Sequence, residues 1–180
     1  MPAAAEHIRV YLLNSPNDPL HLTGFATLDR ALHRSGFENT SYWAWADGSR
    51  LTKAITAYRE EHPQARIVVV AWSGASLWAW DAAEILAEAG ASIDRVIYLD
   101  SNWLKRRLRT RTHPGNIGQA VLIYRESHDP PTAQQIPGAV VYRVPTSNHL
   151  AVATHRATVE AIVAELRQLG AVMVPQVLQQ

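Results

Sequence analysis

The chemistry-bearing residues of this chain converge on one serine. In residues 68–76, VVVAWSGAS, an unbroken apolar run ends at Ser73 and a helix-compatible stretch begins directly after it. A serine on a sharp strand-to-helix turn presents its hydroxyl at the positive end of the helix, where an alkoxide or oxyanion is favoured. The turn requires small residues two before and two after the serine, because it brings their Cα atoms together. Glycine is usual at both places; here Ala71 and Ala75, the next smallest choice, occupy them. The plainer role for Ser73 is a helix N-cap. A nucleophilic serine needs a base, and of the eight histidines only His149 both follows the last apolar run, in VPTSNH, residues 144–149, and opens the helix after it; His155 lies six positions further on. The base in turn needs a carboxylate. Asp100 directly ends the run 96–99 and is placed to project from the carboxyl edge of a parallel sheet. Asp129, in SHDPP at 127–131, is the alternative acid, on a stretch that reads as an exposed turn. Serine, histidine and an acid in this order can carry out nucleophilic acyl transfer.

These residues need a frame to hold them, and the hydrophobic pattern supplies one. Strand-like runs occur at 8–13, 40–45, 66–72, 95–100, 120–124 and 139–144. Between them, helical spacing predicts helices at 22–35, 50–61 and 76–90, and a last helix from about 148 to about 169, so that His149 opens it. The run 67–72 has no polar alternation, which implies a strand buried on both faces. In helix 76–90 the only acidic residues are Asp81, Glu84 and Glu88, a narrow wet stripe on an otherwise apolar surface. Residues 101–118 carry no assignable pattern, and 175–180 read as a loose tail. Strands alternating with helices predict an α/β fold: a doubly wound, mostly parallel six-stranded sheet with helices on both faces. One domain over residues 1–180, with its core at about 8–169, accounts for the 180-residue length.

Bulk composition narrows the classes of function. The chain is 47% hydrophobic and 18% charged, with a net charge of +1, which describes a globular protein and gives no reason to expect nucleic acid as a partner. It has no cysteine, so disulfides, thiolate metal sites and cysteine nucleophiles are excluded. His128 with Asp129 is too little for a metal site, and no cofactor is expected. No run has the length of a membrane span, no signal peptide is recognisable, and a cytoplasmic location is expected. Lys105, Arg106, Arg107, Arg109 and Arg111 form a basic run. It is read as a solvated surface, or as a contact for an anionic substrate group. Six tryptophans include Trp72, beside Ser73, and Trp103, just after Asp100; both are candidates for the wall of a substrate pocket, whereas Trp78 and Trp80 read as core.

The segments RIVVVAWSGAS, VIYLD, HPGNIGQAVLIYRE and IPGAVVYRV leading to NHLAV resemble, in that order, the α/β-hydrolase superfamily. The likeness is to its small, capless, bacterial lipase- or thioesterase-like hydrolases, and it covers residues 8–168. It implies a minimal six-stranded α/β-hydrolase fold and a triad of Ser73, His149 and an acid that transfers an acyl group from an ester or thioester to water. It also implies an oxyanion hole with one donor at the Gly74 N–H and a second from the loop after the first strand. Pro16 in that loop has no N–H, which leaves Ser15 or Asn17. The competing expectation is a non-catalytic binding or interaction protein on the same fold. Neither the acyl group, the leaving group nor the oligomeric state follows from the sequence.

Overall fold

The computed structural model describes residues 3–15, 24–44 and 47–171. One sheet of six parallel strands runs through it in the order β2-β1-β3-β4-β5-β6. The strands are β1 Ile8–Leu13, β2 Thr40–Trp43, β3 Arg66–Trp72, β4 Ile93–Leu99, β5 Ile117–Arg125 and β6 Val140–Val144. The helices are α1 Phe25–Arg34, α2 Gly48–Glu61, α3 Ser76–Glu88, α4 Asn102–Arg107 and α5 Arg156–Ala171. The chain first builds outward from β1 to β2, then returns to add β3 and the rest on the other side. The order therefore reverses between β1 and β3, and in sheets of this kind ligands bind at the carboxyl ends of the strands near such a reversal. Ser73 leaves β3 at that edge.

The all-apolar strands are explained by two cores, one on each face. Ile67, Val69 and Ala71 of β3 point, with Tyr98 of β4, into the layer formed with α2 and α3. Val68, Val70 and Trp72 point, with Ile97 and Leu99, into the layer formed with α1 and α5. Covering both faces removes any position at which a polar side chain could reach water. Each large apolar side chain so buried contributes about 1.5–3 kcal/mol. Within the second core Arg95 of β4 and Glu165 of α5 form an ion pair at 2.7 Å, and the Tyr142 hydroxyl donates to Glu165 at 2.6 Å. The opposite charges answer one another, which is what allows them to be buried, while Arg95 Nε makes no hydrogen bond.

Several boundaries differ from the sequence reading, and three differences bear on the site or its frame. The last helix begins at Arg156, not near Asn148. Asn148 instead accepts from the Leu150 N–H at 2.9 Å and donates its own N–H to the Thr146 hydroxyl at 3.1 Å. Such local side-chain bonds compete with helix formation, so His149 stands on a loop before a 3-10 turn, Val152–Thr154. The previously unassigned stretch contains α4, whose N-cap is Ser101; its hydroxyl accepts from the Leu104 N–H at 3.1 Å. Strand β4 starts two residues early, because Asp94 is held by Arg66 at 2.8 Å and by the Ile67 N–H at 2.8 Å. Trp45 and residues 175–180 lie outside the described residues.

Candidate active site

The path of the backbone already singles out two residues. Among the described residues, only Ser73 and Asp100 combine a side chain with positive φ, at 51° and 45°. Left-handed backbone at a residue other than glycine costs about 1–3 kcal/mol and persists only where its surroundings over-determine it. At Ser73 those surroundings can be named. The hydroxyls of Ser76 and Ser101, both fully buried, donate to the Ser73 carbonyl at 2.6 and 2.7 Å and also touch one another. Ala71 and Ala75, on either side of the turn, are completely buried. Alanine therefore fits where glycine is usual.

Asp100 continues from the end of β4 with no exposed surface at all. His149 Nδ1 lies 2.6 Å from its Oδ2, and His128 Nδ1 lies 2.7 Å from its Oδ1. Arg125 adds an ion pair, with Nε 3.0 Å from Oδ2. Burial alone would push the carboxyl up, but the hydrogen bonds from His149 and His128 and the positive charge of Arg125 outweigh it. The net result is a carboxyl held below its ordinary range. An ionised carboxylate only accepts, so the facing Nδ1 of His149 donates to it; in a neutral ring the lone pair is then on Nε2. The indole of Trp72 stacks on this imidazole at 4.6 Å and 28°.

Ser73, Asp100 and His149 border one cavity of about 280 Å³, together with Asn102, Trp103, Arg106 and Arg125. The structure thus brings together the three residues expected to form the triad. The Ser73 hydroxyl makes no hydrogen bond to His149, a separation common in ligand-free sites that tighten around substrate. Asp129, the alternative acid, is 88% exposed and pairs with Arg143 at 3.3 Å, away from the histidine. Trp103 lines the cavity. Trp72 does not: it is 2% exposed and backs the imidazole from the core side, because strand alternation turns it inward. Gly74 follows Ser73 in a short 3-10 turn, Ser73–Ala75, that leads into α3. The Ser15 N–H is directed to the Asn14 side chain at 3.0 Å. Pro16 and Asn17 lie outside the described residues. Among the described residues no cluster of histidine and acidic side chains could hold a metal ion, and no helix is long and apolar enough to cross a membrane.

His128 and Arg125 were not found by sequence reasoning. His128 sits in a turn-rich segment that reads as exposed, yet its side chain is only 13% exposed, with Nε2 2.6 Å from the Asn102 side-chain oxygen. Arg125 closes β5 and reaches both Asp100 and the Ser147 carbonyl, the latter at 2.8 Å. It thereby ties the acid to the loop that carries His149. Their one sequence signal is position: both follow the strand adjacent to the one that delivers Asp100.

No protein-family model matches the chain, and no curated protein matches it. Solved structures do. The NocB thioesterase domain of the nocardicin cluster superposes with a TM-score of 0.59 at 15% identity, over 89% of this chain and 94% of that one. The thioesterase domain that cyclises the lipopeptide antibiotic surfactin gives 0.53 at 14% identity, over 93% and 94%. An α/β serine hydrolase without a lid, from Xanthomonas campestris, gives 0.55 at 12% identity, over 93% and 83%. At such identities the likeness speaks for the fold. The all-parallel six-stranded sheet, its flanking helices and these superpositions together identify the chain as having the α/β-hydrolase fold.

Proposed function

We propose that the protein is a serine hydrolase that cleaves a carboxylic ester or thioester through an acyl-enzyme on Ser73. The observation that carries this reading is the pairing of the strained Ser73 with a hydrogen bond between buried Asp100 and His149 at the border of one cavity. In the first half-reaction Ser73 Oγ attacks the acyl carbon while His149 Nε2 takes its proton. The bond to the leaving oxygen or sulfur breaks, and the same proton passes to that atom. Water then repeats the sequence, and Ser73 leaves with its proton restored. Asp100 holds the imidazole in the required tautomer and balances the imidazolium. The indole face of Trp72 adds a favourable surface for that transient cation. The Gly74 N–H is the first oxyanion donor, and the loop at residues 15–17 is where the second is sought, from Ser15 or Asn17.

The test is hydrolysis of short p-nitrophenyl esters and of a matched thioester. The wild type is expected to turn over both, and Ser73→Ala to lose at least about a thousandfold in kcat. Undiminished turnover by Ser73→Ala would remove Ser73 from the mechanism.

A further inference from the structure

Helix α4 has two differently used sides. One side fastens it to the body of the protein: Leu104 is fully buried, and Arg107 pairs with Asp81 of α3 at 3.0 Å and lies over the Trp80 ring at 5.5 Å. The other side carries Asn102, Trp103 and Arg106 to the cavity that Ser73 borders. Arg106 places its guanidinium carbon 5.1 Å from the centre of the Trp103 ring. Stacking of this kind limits the conformations of a long side chain and keeps the planar guanidinium over the site.

The charge balance at this cavity is uneven. Among the described residues its only acid is Asp100, which Arg125 already answers. In the same basic segment Arg107 is matched by Asp81 and Arg111 by Glu84 at 3.2 Å. Arg106, by contrast, has no carboxylate partner among the described residues. A positioned guanidinium beside the nucleophile, with no carboxylate partner among the described residues, offers a fork of N–H donors whose best complement is a carboxylate or another oxyanion.

We propose that Arg106, stacked on Trp103, binds an anionic group of the substrate, so that the ester or thioester hydrolysed here carries a negative charge a few bonds from its scissile carbonyl. This rests on the hydrolase reading and adds a substrate class to it. The charge can sit on the acyl part or on the leaving group, and both present the same oxyanion to the guanidinium.

The experiment compares kcat/KM for matched pairs of esters. Mono-p-nitrophenyl glutarate against its methyl ester places the charge on the acyl side. A carboxylated nitrophenyl butyrate against its methyl ester places it on the leaving group. For the wild type at least one charged member is expected to exceed its neutral twin by about five- to tenfold, mostly through KM, and the ratio is expected to shrink with added salt. In Arg106→Gln that ratio should fall to about one. Arg109→Gln, an exposed arginine of the same run that does not line the cavity, should keep it. A wild-type ratio of one or less in both pairs, or a ratio that Arg106→Gln leaves intact, overturns the proposal and makes Arg106 a solvated surface residue. If no ester is turned over, the hydrolase reading fails by itself, and binding decides the anion site. Monomethyl glutarate should shift the Trp103 indole N–H resonance of the wild type and not of Arg106→Gln. No shift in the wild type overturns it.

Discussion

Asp100 carries the densest set of interactions at the site, and each of its partners comes from a different strand end or loop. The carboxylate is completely buried, with one oxygen toward His149 and Arg125 and the other toward His128. Replacing it with asparagine keeps its shape and removes its charge. The expected consequence is a loss of about 10⁴ in kcat, since the imidazole loses tautomer control and the imidazolium its counter-charge. Asp129→Asn should alter kcat less than twofold, because that carboxylate is surface-exposed and bonded only to Arg143. Steady-state turnover of a p-nitrophenyl ester by both variants makes the comparison, and the reverse ranking would assign the acid to Asp129. Ser73, Asp100 and His149 stand out as candidates in the sequence because each follows an apolar strand. His128 was not legible, since a histidine followed by Asp129-Pro130-Pro131 has the local signature of a solvated turn. Only the folded chain shows that this turn closes over Asp100. Ser76 and Ser101, which fix the Ser73 carbonyl, are ordinary helix-start residues by sequence, and their shared acceptor is a long-range contact.

Among the elements, β1 and β3 match the sequence reading end for end, because a continuous apolar run with β-branched residues has few alternatives. The limits of β4 and β5 were placed too narrowly. Charged Asp94 and polar Gln119 interrupt the apolar pattern, yet both lie within paired strands, Asp94 capped by Arg66 and the Ile67 N–H, Gln119 donating to the Gly138 carbonyl at 2.7 Å. Helix α4 spans six residues, under two turns, too short for helical periodicity to register. Its basic composition pointed to solvent, but Arg107 and Arg111 cover the acidic stripe of α3, at Asp81 and Glu84. The misplaced start of α5 has the same kind of cause. Residues 148–154 have acceptable helix propensity, and side-chain bonds from Asn148 and Thr146 turn them into a loop. That loop, more than a helix start, is what delivers His149 across the strand ends to Asp100.

At the scale of the whole molecule, two buried groups respond differently to acid. On the α2/α3 face His113 is enclosed by Trp80 and Tyr98, with the Tyr98 hydroxyl 3.0 Å from its Nε2. Burial lowers this histidine from 6.5 to about 4. The unfolded chain therefore takes up the proton first as pH falls, and the stability held by neutral His113 is lost between 6.5 and about 4. Asp100 works in a separate window. Its carboxyl lies lower than the 3.8 of a free aspartate, so its contribution is present above 3.8 and is lost only in stronger acid. Denaturant unfolding at pH 7 and at pH 4.5 separates the two. His113→Phe should start less stable, having lost the Tyr98 bond, and should lose less stability between those pH values than the wild type. Equal losses in the two proteins would mean that His113 is not held neutral by burial.

The claim on which the account turns is that Ser73 is a nucleophile activated by His149. Its most direct measurement is intact-mass and peptide mapping after exposure to a fluorophosphonate. Ser73 Oγ is expected to form a bond to phosphorus as fluoride leaves and His149 accepts the proton. One adduct per chain, on the peptide containing Ser73 and absent from Ser73→Ala, is the predicted result, with His149→Ala reacting at least about a hundredfold more slowly. A folded protein that remains unlabelled, or one whose adduct maps to a different residue, would contradict it.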